Sequence, residues 1–281
     1  MKMGHGVRLW LWCHSMAIFV LLYAPLVVVA VYSLATGGRV PGWHGLTLTW
    51  YRQLFHDAGL VVILWRSFWL AGGSAAVATC LGTLLAYGLY RYRLGNLLWL
   101  SLLIYLPMIL PDVAFGIAQM LFFHLVHHNT GLFPLSFWTV FIAHVTFQIP
   151  FVALTVHAIL TRLDPALLDA AFDLYAGPVQ VFVKVVWPLI WPGVLGGFLL
   201  AVTLSVDDFG VSFFTTGPDA VTLPIYIYSA VTKRGVTPEI NAVATLLVGV
   251  VAILALANGI SRSITARRAE VVHRKAGMAG A

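Results

Sequence analysis

Runs of about 20 apolar residues recur along this chain, and a run of that length crosses the hydrocarbon layer of a bilayer as one helix. The sequence offers six, near Leu9 to Leu34, Ser67 to Tyr90, Leu97 to His124, Ser136 to Leu160, Pro188 to Val206 and Ala242 to Ile264. Short segments holding Gly, Pro and charge separate them. With 60% of 281 residues hydrophobic and 9% charged, no soluble core hides this much apolar surface. The expected fold class is all-α, a polytopic membrane protein with one transmembrane domain over residues 1–281 and no linker. The first run follows Lys2 and Arg8 and is too long and too flanked by aromatics for a secretory signal core, so it is read as an uncleaved span. Cys13 and Cys80 fall in or beside apolar runs and lack metal-ligand spacing.

Cations set the expected orientation. Counted from an inside amino terminus, eleven of the 16 Lys and Arg residues fall inside, whereas Arg39, Arg52, Arg66, Lys233 and Arg234 fall outside or at that edge. The excess predicts that both termini are cytoplasmic. The basic balance is thus a topology signal with lipid headgroups as its partner, and nucleic acid is not expected. On the outer side, Gly37 to Leu60 opens with Gly and Pro turn signals, and its Trp43, Trp50 and Tyr51 suit the membrane interface.

The segment Leu163 to Pro192 differs in kind from its neighbours. Asp164 is placed to cap a helix whose first position is Pro165, and Gly177-Pro178 is expected to stop it about thirteen residues later. Leu167, Leu168, Ala171, Phe172, Leu174 and Tyr175 recur at helical spacing as an apolar stripe, with Asp169 and Asp173 on the opposite flank. Such a helix does not span; its stripe is suited to a partner's groove.

From Asp169 to Pro188 this segment resembles the cytoplasmic Glu-Ala-Ala loop of binding-protein-dependent ABC importer permeases. Asp169-Ala170-Ala171, Tyr175 and Trp187-Pro188 occupy the places of that pattern, with Asp169 standing for the usual Glu and Tyr175 for the usual Gly, and Gly177 two residues late. The resemblance implies a type I importer permease fold and a coupling helix seated on an ATPase. Asp169, Ala170, Ala171, Phe172, Leu174, Tyr175, Gly177 and Pro188 are the implied coupling residues. It also implies as partners a cytoplasmic ATPase dimer, a second homologous permease subunit and an extracytoplasmic substrate-binding protein. ATP and Mg would be bound by the ATPase, and no cofactor is expected in this chain.

A second set of motifs is similar to the second membrane subunit of spermidine/putrescine permeases. Ser205-Val206-Asp207-Asp208-Phe209, Thr216-Gly217-Pro218, Thr222-Leu223-Pro224, Tyr226-Ile227-Tyr228 and Gly235 through Ala242 carry it. Leu46-Thr47-Leu48 before Trp50-Tyr51, and Leu106-Pro107 through Pro111-Asp112, extend it over most of the chain. The implied cargo is a polyamine, imported across the bacterial inner membrane, although related permeases carry iron, phosphonates or opines.

A polycation needs carboxylates and aromatic faces along its route, because a wholly apolar channel replaces none of the water around an ammonium group. Asp112, Asp207 and Asp208 supply charge, and Phe209, Tyr226 and Tyr228 supply faces. Asp112 follows Pro107 and Pro111, which bend or break the third run, so it either caps the restarting helix or lines a hydrated path. Asp207 and Asp208 form either a solvated helix end or a gate. Glu239 is expected in the first turn of the last helix.

His124, His127 and His128 form a polar interfacial cluster with no convincing fourth metal ligand, and His144 and His157 are expected to make interhelical hydrogen bonds. The sequence contains no G-x-x-x-x-G-K-[ST] phosphate loop, G-x-S-x-G elbow or H-E-x-x-H pair, so the chain is not expected to be an enzyme. Two other classes remain as alternatives: a secondary transporter using Asp112 as an ion carrier, and a membrane metal enzyme built on the His124 cluster.

Overall fold

The structure, a computed structural model, describes residues 5–36, 45–92 and 98–249. Among them the regular elements are helical, apart from an isolated bridge between Ala35 and Leu46. The chain divides into two compact units, Gly59–Tyr228 and a second formed from Met1–Ala58 with Ser229–Ala281.

The second unit opens with α1 (His5–Tyr32), whose apolar residues are exposed almost throughout. A helix apolar on every side needs lipid or another membrane helix around it. After the bridge comes α2 (Thr49–His56), the amphipathic piece expected at the interface. The Trp50 indole donates to the Ala35 carbonyl at 2.9 Å, and the Tyr51 hydroxyl lies 2.6 Å from Ser33 Oγ. Trp43 lies outside the described residues. In α12 (Pro238–Gly249), Glu239 stands in the first turn as expected, while the Ile240 amide donates to Thr237 Oγ1 at 3.5 Å. The later part of the sixth run, to Ile264, lies outside the described residues, as do Lys2, Arg93, Arg262, Arg267, Arg268, Arg274 and Lys275 among the cations expected inside.

The larger unit holds α3 (Ala58–Tyr92), α4 (Leu98–Ile109), α5 (Asp112–Thr130), α6 (Phe137–Leu160), α7 (Pro165–Asp173), α8 (Pro178–Val181), α9 (Trp187–Val206) and α10 (Gly210–Thr215). α11 (Leu223–Arg234) follows. Four described segments are long and apolar enough to span a bilayer: Gly6–Tyr32, Ala58–Tyr92, Phe137–Leu160 and Pro178–Val206. The chain is thus an all-α, multi-pass membrane protein.

One expected span is corrected. α3 starts at Ala58 instead of Ser67, because the intervening stretch is apolar and its one cation, Arg66, donates to the Asp219 carbonyl without ending the helix. The third run is broken, as its prolines lead one to expect. Pro111, with φ −58° and ψ 138°, takes an extended conformation and separates α4 from α5, whereas Pro107 is held inside α4.

The core of this unit is a seam between α3, α6 and α9. Ala75, Ala86, Val152, Val156, Leu160, Ile190, Val194 and Ala201 are fully or nearly fully buried in it. Close approach depends on glycines: a Cβ at Gly82 would stand 2.8 Å from Val152 Cβ and 3.0 Å from the Ile149 carbonyl oxygen, and one at Gly197 would stand 3.2 Å from Val152 Cγ1. Small residues let membrane helices pack by dispersion where lipid offers no hydrophobic drive.

The segment after α6 is also corrected. Asp164 caps as expected, its Oδ1 accepting from the Ala166 amide at 2.9 Å, with Pro165 first in the helix. The helix ends at Asp173 rather than at Gly177. Tyr175 takes the left-handed region at φ 58°; its amide donates to the Phe172 carbonyl at 2.9 Å, and the Ala176 amide reaches back to Ala171 at 3.2 Å. This pair of bonds is the Schellman stop, usually built on glycine. A Tyr at left-handed φ ends a helix in the same geometry as Gly, at a steric cost of about 1 to 2 kcal/mol. Gly177 is extended and starts α8. Phe182–Val186 then forms a π turn, with the Trp187 amide donating to the Phe182 carbonyl. Pro188 supplies the reason: its ring has no amide and would crowd the carbonyl four residues back, so the turn widens.

Candidate functional site

Two places in the larger unit gather the residues singled out from sequence. The first is α7 and its stop. Leu168, Ala171 and Ala176 turn inward and pack on the core that includes Leu160, Val181 and Val186. Leu167 and Phe172 are exposed, and Leu174 and Tyr175 at the stop are 83% and 97% exposed. The stripe read as one face is therefore split: part fastens α7 to its own subunit and part is open. Asp169, Ala170, Gly177 and Pro188 are also exposed. The Arg91 guanidinium, at the end of α3, lies 5.9 Å from the centroid of the Phe172 ring and ties α7 to that helix.

The second is an elbow where α9 turns into α10. Asp207 closes α9 and is exposed; Asp208 is buried and Phe209 half-buried. Asp208 spends its carboxylate on the start of α10, Oδ2 accepting from the Ser212 amide at 2.8 Å and Oδ1 from the Val211 amide at 3.2 Å. α5 begins beside this turn. A Cβ at Gly210 would meet Asp112 Cβ at 3.0 Å, and one at Gly116 would meet the Gly210 carbonyl oxygen at 2.8 Å. Asp112 is exposed and is the first residue of α5; the cap position belongs to Pro111, which makes no side-chain cap. Asp207 stands within electrostatic reach of both Asp208 and Asp112.

Aromatic rings flank these acids. Phe209 lies 4.7 Å from Tyr228 and 5.2 Å from Phe213, centroid to centroid, and Tyr228 and Phe213 are each about half-exposed. Tyr226, on the same helix as Tyr228, is half-buried. The structure thus brings Asp112, Asp207, Asp208, Phe209 and Tyr228 to one elbow and adds Phe213, which no sequence motif singled out.

Sequence reasoning also missed the partners of His144. This side chain, 2% exposed near the middle of α6, has Nδ1 2.7 Å from Ser205 Oγ of α9 and Nε2 2.9 Å from Ser212 Oγ of α10. The same Nε2 is 3.3 Å from Asp208 Oδ2. The expected interhelical bonds are present for His144, whereas the Nδ1 of His157 is buried without a partner. An ionisable side chain in an apolar run was the available signal; serines at scattered positions gave none. His124, His127 and His128 are exposed, and no group of three metal-ligating side chains occurs among the described residues.

Comparison with known proteins gives these sites a context. The family model for the binding-protein-dependent transport system inner membrane component matches residues 78–269. The chain belongs to this family. It is therefore a transmembrane permease subunit of an ABC importer, and its family is non-catalytic. Among curated relatives, the putrescine transport system permease protein PotI of Escherichia coli (strain K12) is 37% identical over 239 residues, covering 84% of each chain. The spermidine/putrescine transport system permease protein PotC of the same strain is 37% identical over 242 residues, covering 86% of this chain and 89% of PotC. A crystal structure of a bacterial ABC transporter involved in import of the acidic polysaccharide alginate contains a chain of the same fold, with TM-score 0.70 and 17% identity over 92% of this chain and 96% of that one. That likeness is one of fold.

Proposed function

We propose that this permease subunit imports polyamines, spermidine or putrescine, across the bacterial inner membrane, working with a second permease subunit, a cytoplasmic ATPase dimer and an extracytoplasmic binding protein. The observation that carries the cargo is the elbow, where exposed Asp112 and Asp207 stand beside the rings of Phe209, Phe213 and Tyr228. Carboxylates replace the water lost by an ammonium group, and aromatic faces hold its methylene chain and its charge. Resemblance to PotI and PotC over most of the chain supports the same reading. Asp208 then serves the start of α10, and Tyr226 flanks the aromatic group.

In this proposal α7 is the coupling helix. Its open residues Leu167, Phe172, Leu174 and Tyr175 meet the ATPase. Its inward residues Leu168 and Ala171 pass displacement to the core formed by α6, the π turn and α9. Closure of the ATPases would draw the two coupling helices of the permease pair together and reopen the route at the opposite side. Both termini and α7 are cytoplasmic, in line with the excess of cations assigned to that side. Six crossings are completed by the broken α4–α5 pair and by the helix that begins at Pro238.

The test is uptake of radiolabelled putrescine and spermidine by vesicles holding the full transporter. Asp207→Asn is expected to lower uptake about tenfold, the weight of one charge-assisted contact. Leu174→Glu is expected to abolish co-purification of the ATPase while the subunit still inserts, since Leu174 makes no part of its own core. Uptake driven by an ion gradient with the ATPase absent would refute the coupling, and uptake of an opine, phosphonate or iron complex in place of either polyamine would refute the cargo.

A further inference from the structure

The His144 network joins three elements, α6, the end of α9 and α10, at the turn where the chain passes from α9 into α10. Each imidazole nitrogen has its own serine, Ser205 from the last turn of α9 and Ser212 from α10, and Nε2 also faces the Asp208 carboxylate. All four side chains are buried. A buried polar group of this kind adds little net stability over well-packed apolar residues, but it discriminates sharply between arrangements that satisfy it and those that do not. Here the discriminated quantity is the rotation of the elbow. Asp207 and Asp208 are chain neighbours at a helix end and lie on opposite sides of the turn, Asp207 exposed and Asp208 buried. Holding one inward holds the other outward.

We propose that His144 is a positioning residue for permeation: by fixing Asp208 inside the bundle it presents Asp207 to the open face of the elbow, beside Asp112. His144 touches no transported solute. Asp208 sets its roles, because a neutral imidazole that donates from Nε2 towards the carboxylate accepts at Nδ1 from the Ser205 hydroxyl. An apolar side chain of similar size would remove the imidazole from the Asp208 carboxylate and leave it held only at the start of α10, by the Val211 and Ser212 residues, so that the elbow is fixed less firmly against α6. The inference rests on the elbow being the route, yet it names no cargo.

The experiment measures exposure at position 207 directly. The chain with Cys13→Ser and Cys80→Ser carries Asp207→Cys and is produced in membranes with its partner subunits. The probe is a positively charged, membrane-impermeant thiosulfonate, applied from each side in turn. With His144 present the thiol is expected to label readily. His144→Leu should slow labelling about tenfold, the consequence of losing a charge-assisted hydrogen bond. His144→Gln, which keeps an acceptor and a donor, should restore most of the rate. If His144→Leu does not reach the membrane, Ser205→Ala and Ser212→Ala weaken the network one bond at a time and should each slow labelling. Equal rates in all these backgrounds would overturn the proposal. Labelling requires no solute, so failure of the polyamine reading would leave this result intact, and an unchanged rate with normal polyamine uptake would sink the positioning role alone.

Discussion

Tyr175 shows how a single residue decides a boundary. Its φ of 58° is a conformation that costs an L side chain about 1 to 2 kcal/mol, yet the stop is fully formed around it. Tyr175→Gly is expected to strengthen the stop by about 1 kcal/mol, partly offset by the greater freedom of glycine in the unfolded chain. Tyr175→Val should weaken it by more, since branching at Cβ crowds that region further. Limited proteolysis of the purified transporter at the α7–α8 junction would rank the three, with Val cleaved fastest. A Val variant cleaved no faster than the parent would show that the left-handed turn is not formed.

At the level of elements, what the sequence disclosed depended on whether the deciding contact is local. The Asp164 cap and Pro165 start of α7 are written within three residues and were legible. Asp164→Ala is expected to cost about 1 kcal/mol and to speed hydrogen exchange at the Ala166 amide, which loses its acceptor; unaltered exchange there would mean that the cap contributes nothing. The end of α7 was misread because Gly177 looked like the stop, whereas the decisive hydrogen bonds run from Tyr175 and Ala176. The elbow was half legible. Asp207, Asp208 and Phe209 are contiguous and Phe213 is one helical turn on, but Asp112, Tyr228 and the His144 imidazole join them only through packing of α5, α6 and α11 on this turn. Proline spacing signalled a break near Pro111 but did not tell it from Pro107, because helix tolerance of proline depends on what surrounds the freed carbonyl.

For the whole molecule, composition alone announced a membrane protein, and apolar run length located the main helices, since both are sums over many residues. The seam among α3, α6 and α9 was invisible at that level: nothing marks Gly82 as facing Val152 until the helices are in place. Gly82→Leu is expected to destabilise the subunit by about 1 to 3 kcal/mol through overpacking, read as a lowered unfolding temperature of the detergent-solubilised transporter. Gly88→Leu, with open space around its Cβ position, is the control and should change it little. Equal losses in the two would mean that the seam is not where stability resides. A seam this close also fixes register: for α3 or α9 to slide along α6, the Val152 side chain would have to leave the hollows beside Gly82 and Gly197 and meet a bulkier neighbour, so each glycine acts as a detent that keeps its helix in step with α6.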